Sequence, residues 1–401
     1  MLLTILSLMA ASIVHMPAAT AATAGAGPSA VGPPAVSGAT PFDRHGMWIW
    51  YVDRSEGGDV GQIVARAASA GIGTLYIKSG DAGSIWSQFN RSLVGALHEA
   101  GLDVCAWQFV YGDSPVDEAK VGAAAVRRGA DCLVVDAEGH YEGKYAAADR
   151  YIRALRARIG PTFPLSLATF PYVDYHPSFP YSVFFGPEGA TANQPQMYWR
   201  AIETSVRAVY DHTYLFNRLW DVPLYPLGQT YGGANRKEIR LFRRFGLSYG
   251  GLQPSWWDWQ ETTNAGWRAL GADIVGPVFG YRPITTHPLL KRGSRGDLVV
   301  WAQEHLRAAG EQVPVTGIFG KITRAAVRGF QEQAGLKADG AIGTATWEAL
   351  IRYDPVRWRW AARRPQRNRA GATVSRALPP RRPLSASLPA KGYEIDPGPN
   401  P

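Results

Sequence analysis

The chain has 401 residues, more than one ordinary domain, and its 46% hydrophobic content with 14 Trp supports a large core and excludes a chain disordered throughout. The formal net charge is +9, but residues 352–401 hold 11 basic and 3 acidic side chains, so eight of the nine charges sit in that stretch. The remainder is nearly neutral, which excludes a basic groove built for specific nucleic-acid recognition.

In chain order, residues 2–14 form an apolar run followed by small residues, with Ala-x-Ala sites at 19–21 and 22–24, and this predicts a secretory signal peptide over 1–24. The run is too short to span a bilayer, and no Lys or Arg precedes it. Residues 25–45, rich in Gly, Pro, Ala and Ser, predict a flexible lead-in. From Gly46 a short apolar strand, a turn and an amphipathic helix recur. Strands are expected near 47–51, 74–78, 103–109, 132–137, 165–170, 194–198, 224–228 and 252–257. Helical spacing marks 60–70, 116–128, 146–159, 203–219 and 237–245, whereas 171–193, rich in Pro, Gly and aromatics, predicts a long irregular loop. Eight such units over 46–284 predict an α/β fold, a (β/α)8 TIM barrel, whose reactive groups sit at strand C-terminal ends.

Cys105 and Cys132 each fall inside a predicted strand, with no metal-type spacing, and no cofactor is expected. They could pair as a disulfide after export or sit as two small buried hydrophobes. The second is preferred, because neighbouring strands seldom cross-link through a packed core.

The fourth strand, 132–137, ends in Asp136 and Glu138 before Gly139 breaks it. Alternation points both carboxylates the same way, roughly 6 to 7 Å apart along the backbone. Charge at the end of so apolar a strand is costly, so it needs a neighbour or a task. Either the pair caps the next turn or binds an Arg, or it supplies the protonated acid and polar stabiliser that glycosidic cleavage requires. The other strand ends carry Lys78, Trp107 with Gln108, Tyr172, Gln196 with Tyr198, Gln229 with Tyr231, and Trp257 with Asp258 and Gln260. Aromatic faces stack on pyranose rings while amides and carboxylates hold hydroxyls, so this ring reads as a sugar pocket; barrel-mouth packing is the bland alternative.

Asp136-Ala-Glu138, Gln196-Met-Tyr198 and the 256–260 stretch Trp-Trp-Asp-Trp-Gln resemble the corresponding places in barrel glycoside hydrolases, both the chitinase family and the Chalaropsis-type muramidases. The resemblance implies Glu138 as general acid, Asp136 as the group holding the substrate's 2-acetamido nitrogen, and Tyr198 as the group steadying its carbonyl, with the acetamido oxygen attacking the anomeric carbon. The chain departs from the chitinase pattern at Val134, where a further Asp is usual. It departs from the muramidase pattern at the first strand, which ends in Trp50, Tyr51 and then Asp53.

Residues 289–350 read Gly317-Ile-Phe319-Gly320, Thr323, Phe330-Gln331, Asp339-Gly340, Ile342-Gly343 and Thr346-Trp347, and closely resemble the three-helix peptidoglycan-binding domain. Val299, Leu306, Ala326, Val327 and Phe330 lie at helix spacing, and two similar glycine turns precede helices begun at Thr323 and Thr346. Ala302 and Thr316 stand where that family usually has Leu and Asp. Such a domain over 288–352 implies peptidoglycan as partner; a helical packing module without a ligand is the alternative. Residues 353–401, rich in Arg and Pro, predict a disordered tail whose 357–360 Arg-Trp-Arg-Trp stretch could attach to anionic wall polymers or a membrane surface, or simply be solvated. A secreted, wall-associated monomer is expected, either hydrolysing N-acetylated glycan or binding wall carbohydrate without turnover.

Overall fold

The computed structural model describes residues 40–251 and 253–360. The expected signal peptide, nearly all of the lead-in, Leu252 of the expected eighth strand and the tail beyond residue 360 lie outside the described residues.

Eight parallel strands form the barrel: β1 Gly46–Ile49, β2 Thr74–Asp81, β4 Asp103–Val110, β5 Cys132–Ala137, β6 Leu165–Thr169, β7 Ala192–Pro195, β8 Leu227–Gln229 and β9 Ser255–Trp257. A two-residue strand, β3 Ser84–Ile85, hairpins onto β2 outside the barrel path. The spatial order is β7-β6-β5-β4-β2-β1-β9-β8. Isolated parallel bridges Asn193 to Leu224 and Gln196 to Leu227 close the seam between β7 and β8. Both seam strands are shorter than their apolar runs predict, because Pro195, Pro223 and Pro226 have no N–H to give a ladder.

Around the strands lie α1 Val60–Ser69, α2 Arg91–Glu99, α3 Pro115–Arg127, α4 Tyr145–Ile159, α5 Tyr181–Phe184, α6 Val206–Asn217, α7 Arg236–Ser248 and α8 Asn264–Leu270. The spacing left α2 and α8 unassigned. Their start signals are side-chain caps: Asn90 accepts from the Leu93 N–H and Thr263 from that of Gly266. The expected loop over 171–193 is irregular as far as residue 191, with a 3-10 turn and α5 inside it, and its last two residues already belong to β7.

Strand alternation sorts the core into two layers. On β4, Val104, Ala106 and Val110 face the helices, while Cys105 and Trp107 join Trp48, Tyr76, Val134, Leu227 and Trp257 inside the barrel. Here one expectation fails: Cys105 and Cys132 are disulfide-bonded. They are register partners on adjacent strands, both inward-facing, with Cα atoms 4.6 Å apart, within the span a disulfide bridges.

The C-terminal part is helical: α9 Asp297–Ala308, α10 Lys321–Gln333 and α11 Thr344–Leu350. The last two begin two residues before the expected threonines, since Gly320 and Gly343 take the N-cap positions. Two glutamines lock the two turns in the same way. Gln303 accepts from the Thr316 and Gly317 N–H groups and donates to the Ile318 carbonyl and Thr323 Oγ1. Gln331 accepts from the Gly340 N–H, and its Nε2 shares two hydrogens among Asp339 Oδ1, the Ala341 carbonyl and Thr346 Oγ1 at 3.1, 2.9 and 3.1 Å. Gly317 and Gly340 hold φ of 69° and 76°, left-handed values that a Cβ would strain. Phe319, Phe330 and Trp347 are buried. The signature residues therefore make the fold of this region.

Every residue of α9 from Asp297 to Leu306 is buried, because α10 and α11 cover one side and the barrel the other. Asp297 accepts from the backbone N–H and Oγ of Ser182, both at 2.7 Å, and Trp301 donates to the Leu219 carbonyl while packing on Trp220 at 5.3 Å. The stretch expected to start the free tail is also packed. His305 bonds the Tyr353 carbonyl, Arg357 pairs with Asp149 and Glu188, and the Trp360 ring lies 4.3 Å from that of Tyr145. Arg357 meets carboxylates of its own chain, so it is not free for wall polymers or lipid.

Candidate active site

Asp136 is the last inward-facing residue of β5, after Cys132 and Val134, and Glu138 follows one step beyond the strand. Asp136 is buried and Glu138 partly exposed. Gln196, just past β7, donates from Nε2 to Asp136 Oδ1 and to Glu138 Oε1, each at 3.0 Å. Burial, foremost, pushes the Asp136 carboxyl well above the usual carboxylate range; the Glu138 charge adds to this and Lys78 opposes it. Glu138 is raised too, again chiefly by burial, with Gln196 and His176 pulling the other way. Among the described residues neither carboxylate forms an ion pair. Lys78 is buried and salt-bridges to Asp81 at 2.7 Å instead, its Nζ lying 5.0, 4.6 and 4.8 Å from the ring centres of Trp50, Trp86 and Trp107.

Tyr198 belongs to the same inner cluster, edge-on to Tyr231 at 5.6 Å. Burial raises its phenol, with Tyr231, Asp136, Glu138 and Asp258 pushing the same way, so its hydroxyl stays a donor. Trp257 packs 5.3 Å from Trp107 and is joined to Asp258 by a cis peptide bond. Burial lifts the Asp258 carboxyl to about 7, and its Oδ1 accepts from the Glu261 N–H. The barrel mouth thus brings together Lys78, Asp136, Glu138, Gln196, Tyr198, Tyr231, Trp257 and Asp258.

Other expected pocket residues point away from the mouth or are spent on packing and on backbone hydrogen bonds. Gln108 alternates with Trp107 and so points outward, donating to the Ala82 and Glu118 carbonyls. Gln229 is buried and accepts from the Arg200 and Ala201 N–H groups, fixing the turn after β7. Gln260 ties the segment after β9 to the end of β1 through the Trp50 N–H, the Tyr51 carbonyl and Ser55 Oγ. Tyr172 stacks on His212 of α6 at 3.9 Å in the outer layer. Trp107 is 1% exposed, so it floors the mouth and has no face free for a sugar.

Sequence reasoning missed several mouth residues. Asp81 sits on β2 three residues beyond that strand's expected end, and Tyr111 hydrogen-bonds to it. His176 stacks on Phe170 and bonds Glu142 at 2.8 Å. Trp50 and Trp86 are half-buried rim aromatics, and of these Trp50 was legible from its place at the end of the first strand.

Residues 295–350 match the family model PG_binding_1, a peptidoglycan binding domain. The C-terminal helices are a domain of this family. A peptidoglycan-binding protein from Clostridioides difficile, solved with glutamine hydroxamate, is 42% identical over 16% of this chain and 41% of its own, with a TM-score of 0.16. The chain thus spans less than half of that protein. The SleB N-terminal domain is 36% identical over 16% of this chain and 90% of its own, with a TM-score of 0.16. The spore cortex-lytic enzyme SleL from Bacillus cereus is 11% identical over 58% of this chain and 74% of its own, with a TM-score of 0.43. No curated protein matches the chain. The barrel itself rests on its strand order and register. Among the described residues no helix is long and apolar enough to cross a membrane.

Proposed function

We propose that this is an exported cell-wall glycoside hydrolase, which binds peptidoglycan through its C-terminal domain and cleaves N-acetylated glycan in the barrel mouth. The observation that carries the reading is the Asp136 and Glu138 pair: two carboxyls joined by one Gln196 amide, both pushed towards their protonated forms chiefly by burial, and neither in a salt bridge among the described residues. A carboxylic acid whose hold on its proton is strengthened by burial is what departure of a sugar oxygen requires. Glu138, the more exposed of the two, protonates the glycosidic oxygen as the C1–O bond breaks. The carbonyl oxygen of the substrate's 2-acetamido group closes on C1, Asp136 accepts the acetamido N–H, and Tyr198 donates to the carbonyl. Water then opens the cyclic intermediate, returns the proton to Glu138 and leaves the anomeric configuration retained. The Cys105 to Cys132 disulfide supports export, since such bonds persist in oxidising compartments.

Clearing of purified sacculi by wild type and by Glu138→Gln tests this. Wild type is expected to clear a suspension that the variant binds but leaves turbid. Equal clearing would remove Glu138 as the acid, and binding by both without clearing would make the barrel a carbohydrate-binding module.

A further inference from the structure

Gln196 occupies a singular place in the barrel. Its N–H donates to the Thr169 carbonyl of β6, and its bridge to Leu227 of β8 is one of the two that close the seam. From that doubly fixed backbone its side-chain nitrogen reaches both carboxyls at 3.0 Å. An amide NH2 group has two hydrogens and both are committed, so towards a ligand only Oε1 remains, and it can only accept. We propose that Gln196 is a positioning residue: it holds Asp136 and Glu138 as one unit and presents a lone acceptor to a hydroxyl or N–H of the bound glycan.

The proposal rests on the reading of the pair as acid and acetamido partner, and it adds the device that lets two neighbouring carboxyls share a buried mouth. Without a donor between them, like charges must separate or keep a proton more tightly. The other groups facing the pair are Lys78 and Asp81 from β2, Tyr111 after β4, His176 after β6 and Tyr198 after β7. Lys78 is engaged by Asp81, and among the described residues none of the five has a hydrogen bond to both carboxyls.

The test uses the full chain with 13C-labelled Asp and Glu side chains, followed by NMR across pH without substrate. The two resonances are assigned by their loss in Asp136→Asn and Glu138→Gln. In Gln196→Met, which keeps side-chain length and removes the donor, both carboxyls are expected to titrate about one pH unit higher, a tenfold change in proton affinity. Gln196→Asn, which keeps an amide but withdraws it by one methylene, is read in the same way should the Met variant not fold, and an upward shift is again expected. Unchanged titrations in the folded variant would overturn the positioning role. Because no turnover is measured, a protein that fails to cleave glycan can still show the shift. Equally, an active hydrolase whose carboxyls do not move would keep the function and lose this proposal.

Discussion

At Asp136 the peptide alternation that makes a strand also decides the chemistry. The residue follows Cys132 and Val134 on the inner face, so a carboxyl is delivered to the barrel mouth at the point where burial withholds water from it. Its native affinity for a proton exceeds the unfolded one, so over the interval between the two the native state binds more protons and stability falls as pH rises. Asp136→Asn should flatten that slope in urea unfolding measured between pH 4 and 8. A slope unchanged from wild type would mean the carboxyl is not buried in its charged form. The same variant should lose roughly a hundredfold to ten-thousandfold in rate on acetylated oligosaccharide. The carboxyl pair could be read from residues 132–139 because an apolar run ending in acid is conspicuous. Gln196 as their common donor could not, since it follows β7, two strands on from β5 and about 60 residues later in the chain, and neither could Asp81 or His176.

Among the elements, the long apolar strands were legible and the seam was not. β4 and β5 lie where continuous Val, Leu, Ile and aromatic runs place them, β2 starts where its run does but continues three residues past it through Ser79, Gly80 and Asp81, and prolines cut β7 and β8 short. The glutamines after the strands mislead for a related reason: Gln108, Gln229 and Gln260 look like sugar ligands in sequence, yet each spends its amide on backbone of a neighbouring segment. The β4 to β5 disulfide was discounted because strand neighbours seldom cross-link, and only the register, Cys105 opposite Cys132, reveals it. It closes a sequence separation of 27 residues, so Cys105→Ala with Cys132→Ala should lower the unfolding free energy by about 2 to 4 kcal/mol. Urea curves in oxidising buffer, and again with reductant, check this. Reductant should bring wild type close to the variant, and no difference between the two proteins would contradict it.

For the molecule as a whole, the peptidoglycan-binding domain is a packed neighbour of the barrel, with α9 buried on both sides. One cooperative unfolding transition is therefore expected, with tryptophan fluorescence and far-UV circular dichroism coincident, and two resolved transitions would contradict the shared core. Trp301→Ala should cost about 3 to 5 kcal/mol, because it empties the contact with Trp220. Asp297, at the same junction, is raised to about 7 by burial, so docking should weaken as pH rises from the ordinary carboxylate range towards that value. Asp297→Asn should remove much of that weakening, seen as a higher unfolding temperature than wild type at pH 8 and little difference at pH 4.

Whether the barrel hydrolyses wall glycan is decided most directly by incubating purified sacculi with the full chain in water enriched in 18O and weighing the released fragments by mass spectrometry. Water opens the intermediate in the proposed mechanism, so each new reducing end should carry one 18O with wild type and none should form with Glu138→Gln. Sacculi that bind wild type yet yield no labelled reducing ends, or that yield as many with Glu138→Gln, would contradict it.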